Sequence, residues 1–77
     1  MREKWTGDLV GRMHNAEIKN VDLARELGVG KSYISMILNG EKAPKNAETR
    51  LNAAFYAVLN RKLEEEKHAK RAERVQG

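Results

Sequence analysis

The chain has 77 residues, 40% of them hydrophobic, and a formal net charge of +4, which allows one small domain with a single core and one binding surface. It contains no cysteine, and this excludes disulfides, thiolate zinc sites and a cysteine nucleophile. Because no apolar run reaches the roughly 18–20 residues that cross a bilayer, and no signal-peptide core follows the charged start, we expect a cytoplasmic protein.

Apolar residues recur at helical spacing along nearly the whole chain, and no segment alternates apolar and polar residues over the length of a strand. The first helix is predicted to run from Thr6, a candidate N-cap, to about Glu17. The second helix is predicted to begin at Asn20, another candidate N-cap. It ends at Gly28, because glycine adopts the left-handed backbone of that position without strain.

The third helix is predicted from Lys31 to Leu38, because an Asn-Gly pair, which is a strong stop signal, follows it. A loop around Pro44 separates it from the fourth helix, for which Asn46 is the candidate cap. The apolar positions of the fourth helix continue to Leu63. If the helix extends to Val75 it is about 45 Å long and must project beyond so small a core.

The centre of the chain combines two short helices and a glycine turn. Two helices joined in this way pack at a steep angle only if particular positions are small or apolar. Ala24 permits the close approach, and Gly28 makes the turn. Val29, Ile34 and Ile37 anchor the second of the two helices. This pattern is typical of a helix-turn-helix.

The segment LARELGVGKSYISMILNG, from Leu23 to Gly40, is similar to the phage repressor/Cro-like, or XRE-type, helix-turn-helix regulators. The resemblance implies an all-α, compact, lambda-repressor-like bundle of four to five helices that dimerises on a two-fold DNA operator. Residues 6–60 would form the DNA-binding domain, and residues 61–77 a polar helical extension. The predicted single long helix after Pro44 departs from the family, which often has two shorter helices there.

One face of the helix Lys31–Leu38 is predicted to be free for DNA. Ile34 and Ile37 define its buried side, and at about 100° per residue Ser32 and Met36 point away from that side. No carboxylate occurs between Lys31 and Asn39. A surface that meets phosphates and base edges should exclude fixed negative charge, and small hydroxyls allow close approach to the floor of the major groove.

Two sets of contacts are predicted from the positions in the motif. The base-edge contacts are Lys31, Ser32, Ser35 and Met36. The phosphate contacts, which set the register on the duplex, are Asn20, Tyr33, Asn39, Lys42 and Lys45. Other interpretations stay open: a helix cap for Asn39, packing at the domain edge for Tyr33, ordinary loop positions for the two lysines and gap filling for Met36.

These features predict a sequence-specific regulator of double-stranded DNA, most simply a Cro-like repressor that acts as a homodimer. The alternative is a protein-interaction module or an antitoxin that holds a partner protein with the same fold and the long C-terminal helix. We expect no enzyme, because Ser32 and Ser35 have no histidine base nearby and no glycine loop cradles a phosphate. No cofactor or metal is expected, since Glu64 and His68 fit an ion pair without further ligands.

Overall fold

The computed structural model describes the backbone of residues 3–76 and the side chains of residues 3–67. This part of the chain contains helices and no strand. The four helices are α1 (Lys4–Ala16), α2 (Asn20–Leu27), α3 (Lys31–Leu38) and α4 (Ala47–Gln76). The all-α prediction is therefore confirmed, and the last of the four helices, α4, is the long C-terminal one.

Helix α1 begins two residues earlier than predicted, because Thr6 does not cap it. Thr6 is buried, and its hydroxyl Oγ1 donates a hydrogen bond to the backbone oxygen of Glu3 at 2.6 Å. The helix ends where Glu17 adopts a left-handed backbone with φ of 57°. Leu9 is buried, whereas its neighbour Val10 is 40% exposed.

Helix α2 begins at Asn20, but the N-cap is Lys19, so the prediction of Asn20 as the cap is wrong. The backbone N–H of Lys19 donates to the carboxylate of Asp22 at 2.9 Å, which satisfies a polar group at the start of the helix. The end of the helix is as predicted, because Gly28 has a left-handed backbone with φ of 71°. Helix α3 has the predicted bounds, from Lys31 to Leu38.

One core cluster joins all four helices, and it is assembled from the predicted apolar stripes. Leu38 at the end of α3 is buried, whereas Leu63, expected to extend the apolar positions of α4, is 46% exposed. The buried hydrophobic residues are Leu9, Met13, Ile18, Leu23, Ala24, Ile34, Ile37, Leu38, Ala47, Leu51, Ala54 and Phe55.

Helix α4 has 30 residues and is therefore about 45 Å long. Two side chains just past residue 60 attach it to the other helices. Arg61 Nη2 donates to both carboxylate oxygens of Glu26 on α2, at 2.9 and 3.1 Å. Lys62 Nζ donates to the backbone oxygens of Ala16 and Glu17 at the end of α1, at 2.7 and 3.1 Å. The division at residue 60 stays a prediction, and these contacts favour a boundary after Lys62.

Candidate nucleic-acid interface

The buried side of α3 determines which of its residues face outward. Ile34 is 0% exposed, and Ile37 is also buried in the core. On the opposite side of the helix Ser32 and Met36 are exposed, and Met36 has 37% of its surface accessible. The outer face of α3 is therefore free of contacts with the chain's own core, and the interpretation of Met36 as a core gap filler is not favoured.

The start of α3 is open. Gly30 is the N-cap, with an extended backbone, and its oxygen accepts hydrogen bonds from the backbone N–H groups of Tyr33 and Ile34 at 3.1 and 3.4 Å. A Cβ atom at Gly30 would meet nothing within 4 Å. Gly30 and the two predicted contacts that follow it, Lys31 and Ser32, are all exposed.

A surface depression lies between the first turn of α2 and the first half of α3. It brings together four of the predicted site residues, Asn20, Lys31, Ser32 and Ser35. Two further residues, Lys19 and Val21, line the same depression and were not predicted as site residues. Their position on either side of Asn20 is the signal that could have identified them. Val21 is 39% exposed.

Tyr33 and Lys42 form one contact beside α3. The ammonium of Lys42 lies over the ring of Tyr33, 5.8 Å from its centroid. Tyr33 is half-buried and packs against the core, in agreement with the alternative of packing at the domain edge. The cation–π contact directs the loop cation towards this edge of α3, where it lies next to the exposed face.

The other two predicted phosphate contacts follow α3. Asn39 is the C-cap, and its backbone N–H donates to the oxygen of Ser35 at 2.9 Å, so the capping interpretation of Asn39 is confirmed. Its side chain is on the surface. Lys45 is exposed in the loop before α4. Asn39 and Lys45 therefore both lie on the surface after the end of α3.

The acidic residues of α2 are engaged by other groups of the chain. Asp22 accepts the hydrogen bond from the backbone of Lys19, and Glu26 accepts both hydrogen bonds from Arg61. The hydrogen bonds and the negative charge of Glu26 raise the pKa of the Arg61 guanidinium. The outward side of the α2–α3 unit thus presents lysines, hydroxyls and a thioether without a carboxylate between Lys31 and Asn39.

Residues 13–48 match the family model that is described as helix-turn-helix. This region belongs to the XRE-type helix-turn-helix family. The matched segment includes α2, α3 and all nine predicted contact residues. The match supports a DNA-binding transcription regulator of this type, and α3 lies within the matched region.

The other comparisons contribute no relative. No curated protein and no solved structure matches this chain. Among the described residues, no helix combines the length and the apolar character that a membrane span requires.

Proposed function

We propose that the protein binds double-stranded DNA sequence-specifically by inserting α3 into the major groove. The observation that carries this proposal is the outer face of α3, where Ser32 and Met36 are exposed opposite the buried Ile34 and no carboxylate occurs. B-DNA has a major groove about 12 Å wide, which admits an α-helix, and its floor carries the hydrogen-bond pattern that distinguishes the base pairs.

Each of the four base-edge residues has a chemical role in this proposal. Lys31 donates to guanine O6 or N7, and Met36 packs on a thymine methyl group. Ser32 and Ser35 have short side chains whose hydroxyls donate or accept a hydrogen bond. They can therefore contact bases at a distance that is too short for a longer side chain. One good base contact provides about 1–3 kcal/mol of discrimination against the wrong base.

The phosphate contacts lie at the two ends of the α2–α3 unit. At one end Asn20 binds a phosphate together with the backbone N–H groups at the start of α2, and Lys19 in the same depression adds a charge. At the other end the contacts are Tyr33, Asn39, Lys42 and Lys45. These groups position the protein on the duplex without reading its sequence.

A homodimer completes the site, because one small domain offers too little contact for tight specific binding. Two copies of α3 about 34 Å apart would bind half-sites that are one helical turn apart. A protein of this kind, acting in the cytoplasm by occupying its operator, is most simply a Cro-like repressor. In this proposal residues 6–60 provide the DNA-binding domain, and the remainder of α4 is an extension.

The test begins with selection of bound sites from a random pool of duplex DNA. Met36→Ala and Ser32→Ala should change the selected sequence, whereas Lys42→Ala and Lys45→Ala should weaken binding to all sequences alike. Each lysine variant should also reduce the slope of log K against log salt by about 0.9. Val10→Ala, at an exposed residue on α1, is the control.

A different result would favour the protein-interaction or antitoxin alternative. In that case, Met36→Ala and Ser32→Ala would leave DNA affinity and sequence preference unchanged but abolish binding to a partner protein. The same partner should then be released when α4 is altered at Leu63, which is 46% exposed.

A further inference from the structure

One row of exposed residues on α4 lies opposite its buried face. We call this row, Ala53, Tyr56, Asn60 and Leu63, the outer stripe. Its spacing of three, four and three residues keeps it on one side of the helix. Tyr56 is 48% exposed and Leu63 is 46% exposed, the two highest values among the exposed large hydrophobic residues.

Two opposite charges border the outer stripe on the side that faces α1. Arg12 of α1 donates from Nη1 to the hydroxyl of Tyr56 at 3.3 Å, which places its guanidinium beside the first half of the stripe. Glu66 is exposed one turn beyond Lys62, whose amine binds the end of α1, so Glu66 lies on the same side. Among the described residues neither Arg12 nor Glu66 forms an ion pair.

The positions of these charges match a two-fold axis. Glu66 lies ten residues past Tyr56 along α4, about 15 Å, and Asn60 is close to the midpoint. A two-fold axis that is perpendicular to α4 and passes near Asn60 makes the two α4 helices antiparallel. The side of α4 that faces α1 then lies on the same side of the dimer in both copies. Each Arg12 then faces Glu66 of the second copy. In a parallel pair this side would face the opposite side of the other helix, and the two charges would not meet.

We propose that the outer stripe packs antiparallel against the same stripe of a second copy of this chain. Tyr56 and Leu63 are buried against each other across the interface, and the two Asn60 amides meet near the axis. An amide both donates and accepts a hydrogen bond, so a pair of them is self-complementary and fixes the register. This inference rests on the proposed function, which requires a second copy, and it assigns the interface and the orientation.

The first test measures association without DNA, by sedimentation equilibrium. The wild-type chain should be a dimer, and Leu63→Glu should raise its dissociation constant at least about tenfold, because a carboxylate would be buried in an apolar contact. The matched control is Val10→Glu, which adds the same charge at an aliphatic residue of similar exposure, 40%, outside the stripe. This control should leave the dissociation constant unchanged, and circular dichroism should show that both variants are folded.

The second test determines the orientation. Arg12→Glu and Glu66→Arg should each weaken the homodimer, because each places like charges opposite one another at both ends of the interface. Mixing the two single variants should restore association through heterodimers, in which both pairs are again of opposite charge. In a parallel dimer the single variants would associate as the wild type does.

Three results would overturn the inference: a monomeric wild type, a dimer unaffected by Leu63→Glu, or no recovery on mixing the charge variants. Binding of a monomer to an isolated half-site would then show that the proposed function survives without this interface. The reverse result, a dimer with the expected variants but no affinity for DNA, would support the interface and end the proposed function.

Discussion

Helices α3 and α4 both bury one face in the same core, yet their free faces differ in chemistry. The free face of α3 has hydroxyls, a lysine and Met36, and it has no carboxylate between Lys31 and Asn39. The free face of α4 combines Tyr56 and Leu63 with charges of both signs along its sides. A polyanion is compatible with the first surface, whereas a protein surface of mixed charge is compatible with the second.

The burial pattern of each helix identifies its free face but not the kind of molecule that binds there. Ser32 on α3 and Asn60 on α4 are both exposed and polar, and neither residue alone distinguishes DNA from protein. The distinction comes from the neighbours. An acidic group is excluded around Ser32, whereas Asn60 has Glu64 one turn away. Variants that add or remove charge on each face are therefore the sharpest way to test the comparison.

The largest effect on stability is expected in the core, where both helices bury one face. Ile34→Ala should lower the free energy of unfolding by about 2–5 kcal/mol, because the side chain is 0% exposed and a cavity would remain. Val10→Ala, at an exposed position on α1, is the control and should change it by less than about 0.5 kcal/mol. Urea denaturation monitored by circular dichroism measures both. Equal losses would mean that α3 is not anchored as described.

The next effect concerns the free face of α3. Met36→Glu should reduce affinity for operator DNA about tenfold to a hundredfold, because it removes a base contact worth roughly 1–3 kcal/mol and places a carboxylate near phosphates. Unfolding should be unaffected, since Met36 lies outside the core. Fluorescence anisotropy at several salt concentrations measures the affinity, with Val10→Glu as the control for the added charge. A variant that binds as well as the wild type would show that α3 does not enter the groove.

A smaller effect is expected where α4 joins α1. Lys62→Met keeps most of the alkyl chain but removes the ammonium that donates to the oxygens of Ala16 and Glu17 at the end of α1. A cation at the C-terminus of a helix is favourable, so the variant should be about 1 kcal/mol less stable in thermal unfolding. Lys67→Met, at an exposed lysine one turn and a half further along, is the control. If both variants unfold like the wild type, these hydrogen bonds contribute nothing measurable.

Most of the fold could be predicted because local signals agree with the tertiary packing. The bounds of α3 follow from Gly28, which makes the turn before it, and from the Asn-Gly pair after it, and these bounds are confirmed. The predicted caps of α1 and α2 are both wrong. Thr6 and Asn20 are good cap residues by type, but Thr6 is buried and the backbone of Lys19 pairs with Asp22 instead. A cap residue type does not determine which residue is the cap.

The outer face of α3 could also be predicted, since a helical repeat places Ser32 opposite Ile34 whatever the surroundings. The depression between α2 and α3 could be predicted only in part. Its two unpredicted residues, Lys19 and Val21, become part of the surface through the crossing of two helices, and an angle of this kind is not encoded in the spacing of either one. The contact of Arg12 with Tyr56 joins residues 44 positions apart and has the same origin.

The smallest effect should come from a third face, the outer side of α1, for which no partner is proposed. A Cβ atom at Gly11 would meet nothing within 4 Å, and the residue lies inside the helix. Gly11→Ala should therefore raise the free energy of unfolding by about 0.5–1 kcal/mol, because alanine loses less backbone entropy in a helix. Dimerisation and DNA affinity should not change.

The matched variant Gly28→Ala should destabilise the fold instead, because φ at Gly28 is 71°. A loss of DNA affinity or of dimer in Gly11→Ala would show that the outer side of α1 binds a partner, and the assignment of functions to α3 and α4 alone would then be wrong.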